Sequence, residues 1–344
     1  MKTYLALLIV ACQATFAMAQ DDKTPYMTKS LANDGISSVV VSTSAGGIKV
    51  SGESGQAPRI EVYIRDNNNR DLSKQEIEKR LSEDYEMNIT VNGHELQAVV
   101  KNKHDRIDWK KSISISFKIY VPQQVSTDLK TSGGGIELDN VKGNEKFSTS
   151  GGGLRIDKLV GTIHGRTSGG GIDVSNSSED IDLSTSGGGI IAKNCTGKIR
   201  LMTSGGGLRL EDLKGDIIAH TSGGGIDGTN IQGELVTGTS GGGIDLKQLD
   251  CSLQASTSAG SMHIQMNKVG KYLKLSTSAG NMAVELPLKQ GLDLSFRGES
   301  VNRSPSKISD FTGEWDKGRI RGTINGGGIP VEASASGNIR LEFN

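Results

Sequence analysis

Aromatic side chains make up only 4% of this 344-residue chain, and six prolines stand beside 47 glycines. So few rings argue against a typical globular enzyme, and so little proline excludes a collagen-like triple helix. An excess of charge of either sign is also missing, with 39 Lys plus Arg against 39 Asp plus Glu. The chain therefore has no overall field to draw in nucleic acid or an anionic membrane surface. Cysteine is confined to Cys12, Cys195 and Cys251. On the repeat described below, the last two are about three coils apart, roughly 14 Å at ~4.8 Å per stacked strand, too far for a disulfide. Stability has to come from the stack itself.

The first residues have the form of an export signal: Lys2, an apolar run from Leu5 to Val10, then Ala17-Met18-Ala19 before Gln20. That order of charge, apolar run and small-x-small site predicts cleavage after Ala19. Ile9-Val10-Ala11-Cys12 also has the form of a lipoprotein signal with Cys12 as the lipidated residue, although its apolar run is short. No second apolar segment is able to span a membrane as a helix.

What the chain does have is repetition. Thr-Ser-Gly-Gly-Gly begins at Thr131, Thr149, Thr167, Thr185, Thr203, Thr221 and Thr239, always 18 residues apart. Thr-Ser-Ala-Gly copies stand at Thr43, Thr257 and Thr277. An unbroken short period means one coil of a stacked solenoid per repeat. With the threonine as position zero, apolar residues recur at positions five and seven (Ile136/Leu138, Leu154/Ile156, Ile172/Val174) and ten (Val141, Leu159, Cys195). They recur again at fourteen (Ile163, Ile181, Ile199, Ile217, Leu235, Leu253). Alternation of this kind predicts an all-β fold, a single-stranded parallel β-solenoid with two strands per coil. One corner is the Ser-Gly-Gly-Gly turn and the other falls near positions eight to thirteen, where Gly143, Gly161, Gly197, Gly215 and Gly233 recur. The same alternation turns each threonine inward and its serine outward.

The flanks differ. Residues 20–130 carry strand-like runs at Ser37–Thr43, Ile60–Ile64, Met87–Val91, Leu96–Val100 and Ile113–Val121. A helix is expected over Ser73–Tyr85, opened by a Ser-x-x-Glu capping box. The layout expected is a leader at 1–19, a β-rich cap with one helix at 20–130, the repeat solenoid at 131–286 and irregular closing coils at 287–344.

Chemistry is harder to find than architecture. A calcium-binding roll needs a carboxylate in every turn, but position six reads Glu137, Arg155, Asp173, Ile191, Arg209, Asp227 and Asp245. Opposite charges one rung apart describe a solvated ladder instead. His164 and His220 fall at outward positions with no nucleophile arranged beside them, and the uniform coils carry no carboxylate cluster of a polysaccharide-cleaving β-helix. The glycine triplets lack the lysine of a phosphate-binding loop. Ice binding needs an outward threonine array, which the phase of the repeat excludes. No catalytic residue, cofactor or metal ligand is expected. One departure remains: Met202, Ile218 and Val236 occupy neighbouring outward columns on successive coils, a candidate partner-binding patch unless a flanking segment folds over it.

The run Val39-Val40-Val41-Ser42-Thr43-Ser44-Ala45-Gly46-Gly47-Ile48-Lys49-Val50-Ser51-Gly52, Tyr120-Val121-Pro122, the Thr-Ser-Gly-Gly-Gly coils and Ser336-Gly337-Asn338-Ile339 resemble the bacterial "putative adhesin" family. That family is a domain of unknown function, and the resemblance implies an exported or envelope-associated β-solenoid without supplying a binding residue. The expected function is a non-enzymatic envelope protein presenting a rigid surface to an envelope protein, a glycan or a host surface, in the periplasm, at the outer membrane or on the cell. A periplasmic sensing or stress-response component is the alternative, and a carbohydrate-active β-helix a weaker third.

Overall fold

The computed structural model describes residues 24–53, 55–66, 72–104, 112–304 and 310–344. The expected leader, with Cys12 and Ala19, lies outside the described residues.

Each repeat forms one coil of a parallel β-solenoid. In the coil of Thr149 a short strand, Leu154–Asp157, precedes a longer one, Val160–Thr167. Both pair in parallel with their counterparts 18 residues on, Leu154 with Ile172 and Ile163 with Ile181. From Leu208 onward the two strands run through the second corner as one, as in Leu208–His220. The stack keeps its register until the Thr257 repeat, which is 20 residues long and takes up the excess between Ile264 and Leu273, opposite Leu246–Leu253. The apolar positions point inward and are buried throughout, from Ile136 and Leu138 to Met282 and Val284.

The threonines are inward, as the alternation predicts, and they clamp the coils together. Thr167 Oγ1 donates to the Gly152 carbonyl at 2.7 Å and accepts from the Gly170 amide at 3.3 Å. The same 2.7 Å bond recurs from Thr149, Thr185, Thr203 and Thr239. A buried hydroxyl has to be paired, and here the backbone of the preceding coil supplies the acceptor.

The second corner falls within positions eight to thirteen and carries two left-handed sites. The first is position nine, where Asn140, Lys158, Asn176, Asn194, Asp212, Asn230 and Gln248 all hold φ between 49° and 57°. Asparagine and aspartate tolerate this left-handed conformation best. Their side chains also stack, Asn230 Nδ2 donating to Asp212 Oδ1 at 2.7 Å and Asn194 to Asn176 at 3.3 Å. Three residues later a second left-handed site holds Gly161, Gly197, Gly215 and Gly233, and in their column Glu179 stands at φ 88°. A side chain in that conformation costs of the order of 1 kcal/mol or more. Glu179→Gly should therefore raise stability by about 1 kcal/mol, read as a higher urea midpoint; a lower midpoint would show that the strain is relieved elsewhere.

The two ends of the stack are built alike. Ser38–Thr43 and Ile48–Gly52 pair with the first repeat coil on one side. On the other side they pair with Glu95–Asn102 and Ile113–Val121. At the far end, Ile329–Ala335 and Ile339–Phe343 lie between the coil of Met262–Leu286 and that of Leu292–Ser304. So the last coil in sequence is not the outermost in space. Antiparallel strands then cover the edges: Tyr85–Asn92 and Arg59–Asp66 at one end, and Arg319–Ile324 with Phe311–Asp316 at the other. Reversing the strand direction ends the parallel stacking at each end. The one helix among the described residues, Lys74–Asp84, is capped by Ser73, whose Oγ accepts from the Glu76 amide at 3.2 Å. The Glu76 carboxylate does not complete a capping box; it pairs with Arg80 at 2.9 Å.

Candidate functional site

The rod offers two surface strips with distinct chemistry. The first follows the outward face of the short strands. Position six forms a column of thirteen rungs in register from Lys118 at one end to Asn302 at the other, about 60 Å at ~4.8 Å per rung. Beside it, position four is glycine in seven successive coils, Gly135 to Gly243. With no side chains there, the surface sinks into a groove. One stretch of about 1090 Å³ runs from Lys118 to Asp227, and a second of about 720 Å³ continues from Asp227 to Arg340.

The groove wall is largely self-neutralised. Lys49 Nζ lies 2.7 Å from Glu137. Lys247 reaches Asp245 at 2.9 Å, and the His263 ring stands between Asp245 at 3.2 Å and Glu285 at 3.6 Å. The like pair Asp139 and Asp157, register partners on adjacent coils, receives an ammonium: Lys158 Nζ is 4.0 Å from one and 3.0 Å from the other. Asp157 also accepts from Ser175 at 2.7 Å and Asn176 at 2.6 Å. Burial pushes its carboxyl up, but these hydrogen bonds and Lys158 outweigh it and hold the group below its ordinary range. At mid-groove the charges stop at Ile191, which is 44% exposed between Asp173 and Arg209. The sequence marks Ile191 only as a break in a carboxylate column; the structure makes it an apolar step in a charged groove.

The second strip is the outward face of the long strands. Ile218 and Val236 are register partners on adjacent coils, and Met202 sits one column aside, paired with His220. Ile218 is 36% exposed, whereas Met202 and Val236 are half-buried. The patch is bounded by Arg200 on one side and Gln254 on the other. The described flanking segments pair at the ends of the stack, not over this face. Met202 also borders a shallow cleft of about 610 Å³ at the glycine corner, shared with Arg166 and an exposed column of serines including Ser150, Ser168, Ser186 and Ser204.

The other reactive groups are placed apart from one another. His164 faces Asp182 across one rung at 3.9 Å, in a column that Arg200 continues. Cys195 and Cys251 point inward as free thiols. Burial pushes both thiols up, Cys251 to about 12, so neither is a ready nucleophile. Among the described residues no group of three or more His, Cys, Asp or Glu side chains is set to hold a metal, and no helix is long and apolar enough to cross a membrane.

No family model matches this chain, and no curated protein matches it. Two solved structures are similar to it. One is a "putative cell adhesion protein" from Clostridium sporogenes ATCC 15579, 10% identical over 92% of this chain and 98% of that chain, with a TM-score of 0.20. The other is a "putative adhesin" from Bacteroides fragilis NCTC 9343, 11% identical over 92% of this chain and 96% of that chain, with a TM-score of 0.25. At such identities and scores neither likeness carries an argument about function.

Proposed function

We propose that this is a non-enzymatic, exported envelope protein that holds out a rigid β-solenoid surface to a macromolecular partner, as an adhesin or an envelope scaffold. The observation that carries this reading is the continuous groove, about 60 Å long, on a stack clamped coil by coil through buried threonines. A long, uniform surface suits an extended or repetitive partner, because each rung adds a similar contact. The dispersal of histidines, thiols and carboxylates along the rod supports a role without catalysis. Export is supported by the leader-like order of residues 1–19.

Two measurements test the reading. Protease accessibility on intact cells, compared with cells whose outer envelope has been opened, tests adhesion: digestion on intact cells is the expected result. Protection until opening would instead favour a periplasmic scaffold or sensor. In the second, binding to glycan arrays and to envelope extracts is compared between the parent and Ile218→Thr/Val236→Thr. Threonine keeps the β-branched shape, so the urea midpoint should hold, while binding through the patch should fall at least tenfold, as ~1.4 kcal/mol of lost contact implies. Weakened binding by Ile191→Asp with unchanged binding by the patch variant would place the contact in the groove, as this reading expects; the reverse would place it on the patch.

A further inference from the structure

We propose that the C-terminal coil, Ile329–Phe343, can be exchanged between two copies of this chain, joining two rods tail to tail. The coil is an insert. Val331 pairs with Leu273 on one side and Leu294 on the other, and Ile339 pairs with Met282 on one side and Val301 on the other. Its inward residues, Val331, Ala333, Ile339 and Leu341, are buried in the common core. Every one of these contacts is non-covalent and is the same whichever copy supplies the coil, which is the condition for swapping an element between protomers. A strand filling a gap in a sheet is also a common way for one chain to bind another.

The connection to the coil is built as a hinge. Asn325, Gly326, Gly327 and Gly328 hold φ of 49°, 79°, 75° and 123°, four left-handed residues in succession. A side chain added at Gly326 or Gly328 would meet nothing within 4 Å, whereas one at Gly327 would lie 2.2 Å from Asp293 Oδ1, so the turn touches the rod through Gly327 and is open on either side of it. What holds it is polar: Asn325 Nδ2 donates to the carbonyls of Leu288 at 2.6 Å and Gln290 at 3.0 Å, and the Gly328 amide donates to Asp293 Oδ2 at 3.1 Å. A few residues able to absorb a large change in φ and ψ are what such a transition needs. While the hinge bends back, the tethered coil competes at an effective concentration of the order of millimolar, so exchange at about 10 µM protein is a minor event by about a hundredfold. If the hinge cannot bend back, the slot is left for a neighbour's coil. Reciprocal exchange closes a two-fold dimer.

The test uses full-length chains. Ser276 and Ser334 are exposed register partners on adjacent parallel strands, within disulfide reach once both are cysteine. Ser276→Cys and Ser334→Cys are made on separate, differently tagged copies, which are mixed at high concentration, taken through a cycle of unfolding and refolding, and oxidised. The expected product is a dimer whose Cys pair, mapped by mass spectrometry, joins position 276 of one copy to position 334 of the other. Deleting Gly326–Gly328 from both copies should raise its yield from trace to most of the protein, about a hundredfold, with light scattering reporting the dimer. The proposal is overturned if the deleted chain remains monomeric and, carrying both cysteines, closes the bond within one chain. Should the deleted chain fail to fold, absence of the 276–334 link in the refolded full-hinge mixture overturns it equally.

Discussion

Gly170→Ala should cost the protein about 3 kcal/mol or more, whereas Gly169→Ala, one residue earlier in the same corner, should cost less than about 1 kcal/mol. The triplet glycines look alike in sequence but sit in different surroundings. A Cβ on Gly170 would lie 2.2 Å from the Gly152 carbonyl oxygen and 2.5 Å from the Gly153 nitrogen. These are backbone atoms, and that oxygen is also the acceptor for Thr167. Making room would spread two coils and break the threonine clamp between them. A Cβ on Gly169 would meet the Gly151 and Ser150 oxygens at 3.4 Å, a tight but tolerable contact. The chain's own degenerate copies agree: alanine replaces the first glycine at Ala45, Ala259 and Ala279, and Ser261 and Asn281 replace the third, while Gly46, Gly260 and Gly280 keep the middle one. Urea unfolding followed by far-ultraviolet circular dichroism would measure the pair. Equal shifts in midpoint would show that backbone freedom, not coil spacing, is what the triplet supplies.

How much of this was legible in the sequence depends on how local the cause is. An invariant 18-residue period leaves one register, so the inward columns and the inward threonines follow from counting. The left-handed corner at position nine is less visible, because Lys158 and Gln248 interrupt its asparagines. The insertion of Ile329–Phe343 is invisible, since nothing in a strand's own residues says which two earlier strands it will separate. Met202, Ile218 and Val236 could be placed outward by alternation alone. The groove could not, because it is made by absent side chains at position four next to a column that reads as ordinary surface charge. Glu145 was hidden for a related reason: a single glutamate in an isoleucine column reads as an irregularity, and only its burial shows otherwise.

That residue carries the other large effect. Glu145 occupies position fourteen, between Thr127 and Ile163 on the neighbouring coils, and it is 0% exposed. Thr127 Oγ1 donates to its Oε2 at 2.5 Å, and among the described residues Oε1 has no partner. Burial pushes its carboxyl up from 4.5 to about 7, against the smaller opposing pull of Thr127. The folded protein therefore keeps a proton that the unfolded chain releases. Glu145 imposes no penalty below about pH 4.5; the penalty grows as pH rises and is complete above about 7, the range its two pKa values define. The change should be about 3 kcal/mol, from ~1.4 kcal/mol per pKa unit. Glu145→Gln is uncharged throughout and should lose this slope, so the difference between the two urea-unfolding curves from pH 4.5 to 8 isolates it from other carboxylates. Thr127→Val/Glu145→Ile, which continues the apolar column and leaves no hydroxyl unpaired, should be the most stable of the three at pH 8. Parallel pH profiles for the parent and Glu145→Gln would mean that water reaches Oε1 and the group titrates as it does in the unfolded chain. Because the Thr127–Glu145 pair lies where the N-terminal coils meet the first repeat, a steep profile would also locate the pH-sensitive joint of the rod at that junction.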